Sequence, residues 1–261
     1  MFSESKLLKK LNIMHFSSLT STNTYLKEIA ENGEKSGTVV IADTQSEGKG
    51  RMGRSFLSRN GGLYMSVLLR PYEDLSEISP SCITNITPLC AVAVCNAIEK
   101  ITGKTLAIKW VNDLFYNGKK VCGILAEASY TNDGRLDYIV LGIGINIVGN
   151  FDDTELSDIA TSLYSILNEN ELTRLKELLV DEILQSLAVL YENQLTNSVF
   201  FDNYKNRLFI IGKDIEIIQG DSIKNATVID LNKDFTLLVR YTDDSTASLN
   251  SGEVRLKVKN G

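Results

Sequence analysis

The sequence predicts an α/β (α+β) protein in which a larger unit of strands and helices precedes a small all-β unit. Two apolar, β-rich runs at 39–42 and 63–69 indicate buried strands. Apolar residues at helical spacing follow in the middle of the chain, and short alternating strands with turn residues occupy its last part. We therefore expect two domains, at 1–207 and 208–261.

Composition limits the classes of protein that the chain can belong to. It has 261 residues, of which 43% are hydrophobic and 23% charged, and a net charge of −6. The negative charge argues against non-specific binding to DNA or to an anionic membrane, and no apolar run approaches the ~18 residues of a membrane span. Four cysteines, Cys82, Cys90, Cys95 and Cys122, form no C-x-x-C pair. We expect a cytoplasmic protein with reduced, mostly buried thiols.

The first elements are a short amphipathic segment at 6–11, a strand beginning near Ile13, and a helix after a cluster of hydroxyl residues. That cluster, Ser18 to Asn23, leads into an apolar-periodic run, which is typical of a helix N-cap. Capping explains one of its side chains. Clustered short donors and acceptors at a helix start also suit a small polar ligand group, and both interpretations stay open.

A loop rich in glycine and cations lies between the two buried strands. Its glycines are Gly48, Gly50, Gly53, Gly61 and Gly62, and its cations are Lys49, Arg51, Arg54 and Arg59. Glycine lets backbone N–H groups turn toward an anion, and arginine offers a planar fork that matches phosphate or carboxylate. We expect an anion-binding loop; a solvated basic loop is the plain alternative.

The middle of the chain is predicted to form a buried helix, four strands and two further helices. The helix covers 86–101, and Asn117-Gly118 is a strong two-residue hairpin signal. The β runs cover 106–111, 114–116, 119–127 and 138–147, with a turn at Asn112-Asp113, and the later helices cover 159–167 and 171–191. Polar or aromatic residues stand at the strand ends, where sites tend to be built: Lys109, Trp110, Asn112, Asp113, Lys120 and Asn146.

Several common kinds of site are excluded by the residues present. His15 is the only histidine, so triad hydrolases and multi-histidine zinc sites are unsupported. Residues 48–53 fit G-x-G-x-x-G, but loop and strand follow where a dinucleotide-binding fold requires a helix. Kinase motifs are missing. The chemistry must rest on Lys, Arg, Asn and carboxylates.

Five motifs, in family order, closely resemble those of the biotin protein ligases. They are Ser21-Thr22-Asn23; Gln45-x-x-Gly48-Lys49-Gly50-Arg51-Met52-Gly53-Arg54; Lys109-Trp110-Val111-Asn112-Asp113; Lys120-x-x-Gly123-Ile124-Leu125-x-Glu127; and Gly142-x-Gly144-x-Asn146. The resemblance covers about 10–200 and continues to Gly252-Glu253-Val254. It implies a mixed-sheet, class II synthetase-like catalytic domain followed by a small SH3-like β-barrel.

The resemblance also implies an activity. Such a ligase uses ATP and Mg²⁺ to activate biotin as biotinyl-5′-AMP, and transfers it to a lysine of a biotin carboxyl carrier protein. A homodimer is compatible with it. Some relatives carry a winged-helix DNA-binding domain, but only about 20 residues precede Ser21 here, so we expect no DNA binding.

The family's functional positions can be carried over to matching residues. The biotin-binding positions match Ser21, Thr22, Asn23, Gln45, Gly48, Lys49, Gly50, Arg51, Lys120 and Gly123. The ATP-binding positions match Arg51, Arg54, Phe56, Asn112, Lys120 and Asn146. Lys120 and Arg51 are the expected catalytic groups, and Asp113 is a weaker candidate for positioning magnesium.

Three departures and two alternatives accompany this interpretation. Lys49 replaces a frequent arginine, Val111 a usual proline, and Phe56 a common tryptophan. A lipoate or octanoyl ligase is the alternative enzyme, although its R-R-x-x-G-G-G segment and nearby histidine are absent. A non-enzymatic biotin sensor is the alternative outside enzymes.

Overall fold

A computed structural model of the protein describes residues 5–75, 81–152, 154–193, 198–250 and 255–258. Seven strands form its larger sheet: β1 (Asn12–Leu19), β2 (Thr38–Gln45), β3 (Gly62–Leu69), β4 (Ala107–Lys109), β5 (Asp113–Tyr116), β6 (Lys119–Tyr130) and β7 (Leu136–Asn146). Their order is β1-β2-β3-β7-β6-β5-β4, with β1 and β2 parallel and all other neighbours antiparallel. The expected mixed sheet is confirmed.

Helices cover both faces of this sheet. They are α1 (Lys6–Lys9), α2 (Thr22–Glu31), α3 (Pro71–Asp74), α4 (Ser81–Thr102), α5 (Glu169–Glu192) and α6 (Ser198–Arg207). Leu26 and Ala30 of α2 pack against Val40, Leu68 and Val140 on one face. The apolar sides of α4 and α5 pack on the other face. Because both faces are covered, every residue of β3 is buried, and its sequence is a nearly continuous apolar run.

The start of α2 is fixed by its own sequence. Ser21 has extended backbone geometry, and its hydroxyl accepts a hydrogen bond from the Thr24 backbone N–H. This satisfies one of the free N–H groups at the helix start, so the predicted N-cap is confirmed. The cap leaves Thr22 and Asn23 in the first turn, buried beside the sheet.

The expectation of buried, reduced cysteines is confirmed at three positions. Cys90 and Cys95 on α4 and Cys122 on β6 are free thiols with no exposed surface. Burial raises the pKa of all three, that of Cys95 to about 12, so they remain neutral and unreactive. The side chain of Cys82 lies outside the described residues.

One predicted helix is wrong. Residues 159–167 form turns and isolated bridges instead, because their backbone pairs with the ends of two strands. Lys120 N–H donates to Ile159 O and Thr161 N–H donates to Lys120 O, while Leu163 N–H donates to Asn146 O. Periodic apolar residues alone do not reveal these long-range bonds.

The hairpin prediction is confirmed, and one strand end is corrected. Asn117 and Gly118 have φ angles of 49° and 79°, as a tight two-residue hairpin requires. The strand predicted to reach Val111 ends at Lys109, since Lys109 pairs directly with Asp113 and the residues between them form the turn.

The last part of the chain forms a separate antiparallel sheet. Its strands are β8 (Asp214–Gln219), β9 (Ser222–Leu231), β10 (Leu237–Tyr241), β11 (Thr246–Leu249) and β12 (Arg255–Val258), in the order β11-β10-β9-β8-β12. This confirms an all-β unit, and among the described residues β11 and β12 are its unpaired edges. The domain boundary at 207 stays a prediction, and the Gly252-Glu253-Val254 motif lies outside the described residues.

The small sheet contacts the larger unit through Phe235. The Trp110 indole N–H donates to Phe235 O at 2.9 Å, and the Phe235 ring packs on Phe200, Phe201 and Tyr204. This contact supports the turn that follows β4. In the part of the chain that the structure describes, no helix combines the length and the apolar character needed to cross a membrane.

Candidate functional site

A cavity of about 140 Å³ lies between the start of α2, the loop after β2 and the strands β4 to β7. Thirteen of the fifteen residues predicted for the site border it: Ser21, Thr22, Asn23, Gln45, Lys49, Gly50, Arg51, Arg54, Phe56, Asn112, Asp113, Lys120 and Gly123. Gly48 and Asn146 do not. The cavity therefore unites motifs that lie far apart in the sequence.

Glycines on β6 and β7 form the floor of the cavity. A Cβ atom at Gly142 would lie 2.1 Å from Asn23 Oδ1, and one at Gly144 would lie 2.7 Å from the Phe56 ring. A Cβ at Gly123 would lie 3.0 Å from the same ring. Glycine is required here because other side chains occupy the space directly above the sheet.

One end of the cavity is a chain of hydrogen bonds that is buried except at Gln45, which is half-buried. Ser66 Oγ lies 2.6 Å from Asn23 Oδ1 and 2.7 Å from Thr22 Oγ1. The Thr22 backbone N–H donates to Gln45 Oε1 at 2.8 Å, and the Thr22 hydroxyl lies 3.1 Å from the same oxygen. Gln45 Nε2 then donates to Ser58 Oγ at 2.7 Å. We call these five side chains the polar end.

A carboxylate stands behind the polar end. Asn23 Nδ2 donates to Glu127 Oε2 at 2.8 Å, and Lys27 Nζ lies 3.0 Å from the other carboxylate oxygen. Burial alone would raise the pKa of Glu127, but the bonds from Asn23 and Lys27 outweigh it and hold this pKa below its ordinary value. Glu127 is therefore ionised at neutral pH.

The loop after β2 folds over the cavity. Gln45 N–H donates to Ser58 O, Phe56 N–H to Gly48 O, and Gly50 N–H to Arg54 O. Gly48 is buried, and a Cβ atom there would lie 2.3 Å from Phe56 O. Gly48 thus shapes the loop while its neighbours border the cavity, and its predicted contact with biotin stays a prediction.

Cations occupy the opposite end of the cavity. Arg51 Nη1 donates to Asn112 Oδ1 at 3.0 Å, and Asn112 Nδ2 donates to Ile124 O at 2.9 Å. Lys120 Nζ lies 2.6 Å from Asp113 Oδ1. This is a charge contact, because the buried Asp113 Oδ1 accepts no hydrogen bond of good geometry. We call Arg51, Arg54 and Lys120 the cationic end. Lys49 also borders the cavity, and its charge acts on Glu127 behind the polar end.

Burial acts on this end as well. Desolvation lowers the pKa of Arg51, Asp113 opposes that effect, and Arg54 adds to it. An anion brought to the cavity would relieve the repulsion between the two guanidinium groups. Among the described residues, no group of three or more His, Cys, Asp or Glu side chains could hold a metal ion alone.

Asn146 borders a second cavity of about 160 Å³, next to Arg59, Asn60 and Tyr64. Its side chain donates to Thr161 O at 3.1 Å. Phe56 and Tyr64 stand edge to face, with ring centroids 6.3 Å apart, and Phe56 borders the first cavity while Tyr64 borders the second. The role predicted for Asn146 stays a prediction.

Sequence reasoning missed Ser66 and gave no role to Glu127 or Lys27. A hydroxyl in an otherwise apolar, fully buried strand was the available signal for Ser66. Glu127 belongs to the Lys120 motif, but its partner Asn23 is 104 positions away, and only the fold brings the two together.

A polar end, a glycine floor and a cationic end together form a site suited to a small ligand with a polar head and an anionic tail. Residues 15–146 match the Biotin/lipoate A/B protein ligase family. The chain belongs to that family.

Two curated relatives of this chain are named as ligases. The chain is 43% identical over 148 residues to "Bifunctional ligase/repressor BirA" of Bacillus spizizenii, which covers 56% of this chain and 44% of that protein. It is 32% identical over 151 residues to "Biotin--[acetyl-CoA-carboxylase] ligase" of Paracoccus denitrificans, covering 57% and 60%. The chain thus spans about half the length of the curated relatives it matches.

Among solved structures, the biotin protein ligase of Aquifex aeolicus in complex with biotin and ATP is similar over 95% of this chain and 99% of that one. The TM-score is 0.75 at 27% sequence identity. The similarity thus extends over most of this chain and nearly all of the ligand-bound relative.

Proposed function

We propose that this protein is an ATP-dependent, AMP-forming ligase that activates biotin as biotinyl-5′-AMP and transfers it to a lysine of a biotin carboxyl carrier protein. The observation that carries this proposal is the single cavity that joins the polar end to the cationic end. The Aquifex aeolicus relative binds biotin and ATP, and the Paracoccus denitrificans relative is named for a carboxylase acceptor.

The polar end suits the ureido ring of biotin. That ring has two N–H donors and one carbonyl acceptor, and it needs partners of both kinds in a water-free place. Thr22, Asn23 and Gln45 offer hydroxyl and amide groups that are already held by Ser66 and Ser58. Because these groups are ordered in advance, little side-chain entropy is lost when the ring binds.

The cationic end suits the first chemical step. A carboxylate oxygen of biotin attacks the α-phosphorus of ATP, a new O–P bond forms, the bond to the β-phosphate breaks, and pyrophosphate leaves. Two anions must approach each other, and Arg51 and Lys120 reduce their repulsion. Lys120 leaves Asp113 and forms an ion pair with the phosphate, while the hydrogen bond to Asn112 keeps Arg51 in its orientation.

The second step is amide formation. The amine of the acceptor lysine attacks the carbonyl carbon of biotinyl-AMP, the C–N bond forms, the C–O bond breaks, AMP leaves, and the amine loses a proton to water. The mixed anhydride hydrolyses in water, so the loop of residues 46–61 protects it by covering the cavity.

Asp113 fits a role in holding Mg²⁺. Its Oδ1 atom is buried and lacks a hydrogen bond, and this ion needs only one or two carboxylates when phosphates supply other ligands. Bound there, the ion would neutralise charge on the phosphates of ATP. For the adenosine, the proposed contacts are Phe56, which borders the first cavity, and Asn146, which borders the second.

The small sheet is proposed to be an SH3-like barrel. Its five strands are antiparallel neighbours, with β11 and β12 at the two edges. A small barrel would form if these two edges came together. Its contact through Phe235 with the turn after β4 would let it support Asn112 and Asp113.

The test is mass spectrometry of a carrier domain incubated with this protein, biotin and Mg·ATP, with lipoate as competitor. We expect a mass gain of one biotin that is lost with Lys120→Ala. Lys119→Ala is the matched control, since the Lys119 amine donates to Ser157 O, away from the cavity. Transfer of lipoate alone would favour the lipoate ligase, and biotin binding without transfer would favour the sensor.

A further inference from the structure

The polar end has a direction, which is set by the Glu127 carboxylate. An ionised carboxylate accepts hydrogen bonds and cannot donate them. The same is true of the neighbouring carbonyl oxygen of Leu125, which lies 3.4 Å from Asn23 Nδ2. Glu127 Oε2 lies 2.8 Å from the same nitrogen. The opposite amide orientation would aim Asn23 Oδ1 at two acceptors, so the carboxylate fixes Oδ1 toward Ser66.

The fixed amide then determines where the Ser66 proton goes. Ser66 has one hydroxyl proton and two acceptors within reach, Asn23 Oδ1 at 2.6 Å and Thr22 Oγ1 at 2.7 Å. The amide oxygen can only accept, whereas the Thr22 hydroxyl can also donate. The Ser66 proton therefore goes to Asn23, and the Thr22 proton goes to Ser66 Oγ or to Gln45 Oε1.

The result is a defined group at the cavity wall. With its proton committed to Ser66 or Gln45, Thr22 Oγ1 presents a lone pair to the cavity, which Thr22 borders. That lone pair accepts an N–H donor and is poorly matched to a ring without one. A cyclic urea offers such a donor, whereas a dithiolane ring such as that of lipoate does not.

We propose that Glu127 is a positioning residue that determines ligand specificity by orienting the Asn23–Ser66–Thr22 chain so that Thr22 accepts a ring N–H. This rests on the proposed function, because biotin supplies the N–H. Glu127 itself touches no ligand, since Asn23 stands between it and the cavity floor at Gly142.

The test compares Glu127→Gln with Lys27→Met in adenylate formation from biotin and ATP. Glutamine keeps the shape but can donate as well as accept, so the Asn23 amide loses its fixed direction. We expect the KM for biotin to rise about tenfold, the effect of one hydrogen bond, with kcat and the KM for ATP unchanged. Lys27→Met removes the other partner of the Glu127 carboxylate. Because this ion pair is partly exposed to solvent, its loss should change the KM for biotin less than about twofold.

Ser66→Ala is the second variant, and it keeps the test decisive if Glu127→Gln does not fold. It breaks the same chain one step further on, so it should also raise the KM for biotin and leave that for ATP unchanged. The double variant should raise the KM for biotin no more than the more affected single variant does, because both substitutions act through the same hydrogen-bond chain.

The outcomes separate the two proposals. An unchanged KM for biotin in both Glu127→Gln and Ser66→Ala, with an active parent, would overturn this inference and leave the ligase intact. Equal rises in both KM values, together with a lower melting temperature, would mean a structural role and would also overturn it. No biotinyl-AMP from the parent protein would overturn the proposed function and this inference together.

Discussion

The two ends of the cavity differ in how far they are organised before any ligand arrives. At the polar end, Thr22, Asn23 and Ser66 are buried, and Ser66 is hydrogen-bonded to both of the others. At the cationic end, Arg54 is exposed on the loop, and Arg51 and Lys120 are half-buried. A recognition surface can be built in advance, whereas a cluster of like charges gains its full stability only with an anion.

The largest expected effect is at the cationic end. Lys120→Ala should lower kcat for adenylate formation about 10²- to 10³-fold, because a charge that stabilises the transition state is lost. Steady-state pyrophosphate release measures it, with Lys119→Ala as the control. A higher KM for biotin at unchanged kcat would assign Lys120 to binding and contradict its catalytic role.

Two glycines on the same strand test the difference in organisation directly. Gly142→Ala drives a Cβ into Asn23, which Ser66 and Glu127 hold, whereas Gly144→Ala meets the Phe56 ring on the loop. We expect Gly142→Ala to lower the free energy of unfolding by about 1–3 kcal/mol, and Gly144→Ala by less, because the loop can give way.

Denaturant unfolding of both variants measures these costs. Titration calorimetry should show weaker biotin binding for Gly142→Ala than for Gly144→Ala. The reverse order in both measurements would mean that the polar end adapts more easily than the loop.

Arg51→Lys should raise the KM for ATP about tenfold. A lysine offers a point charge, so it cannot hold Asn112 and a phosphate oxygen in the same fixed geometry. The nucleotide titration of adenylate formation measures this change, and Arg240→Lys in the small sheet serves as the control. An unchanged KM for ATP would place the nucleotide away from Arg51.

The smallest expected effect is a pH dependence of stability that comes from Glu127. Its pKa in the folded protein lies below the ordinary value of 4.5, so the unfolded chain takes up a proton first as the pH falls. The stability that Glu127 contributes is therefore fully present above pH 4.5 and is lost as the pH falls through the lower, folded-state pKa.

This effect is measured as the difference in unfolding free energy between the parent protein and Glu127→Gln over a pH series. We expect the difference to shrink toward acid. A difference that stays constant across the series would contradict an ionised Glu127 in the native protein.

Much of the fold follows from local sequence patterns, and what does not follow depends on long-range contacts. The buried strand β3, the Ser21 cap and the Asn117-Gly118 turn rest on nearby residues, so the sequence predicts them. Residues 159–167 resemble a helix locally, but bonds to Lys120 and Asn146 decide their conformation. Helix α6 was not anticipated at all.

The site divides in the same way. Thirteen of the fifteen predicted residues border the cavity, and each of them lies in or beside a short motif that can be read from the sequence alone. The hydrogen-bond chain through Ser66 and Glu127 could not be predicted, since it depends on how α2 lies across β3 and β7. The orientation of Asn146 toward Thr161 is set by the same kind of tertiary contact.

The most direct test of the central claim is biotin-dependent exchange of labelled pyrophosphate into ATP, measured for the parent protein, Lys120→Ala and Glu127→Gln. If the two ends have separate tasks, exchange will require biotin, Lys120→Ala will lower its maximal rate, and Glu127→Gln will raise only the KM for biotin. Exchange without biotin, or the same kinetic parameter changed by both variants, would contradict the separation of recognition from activation.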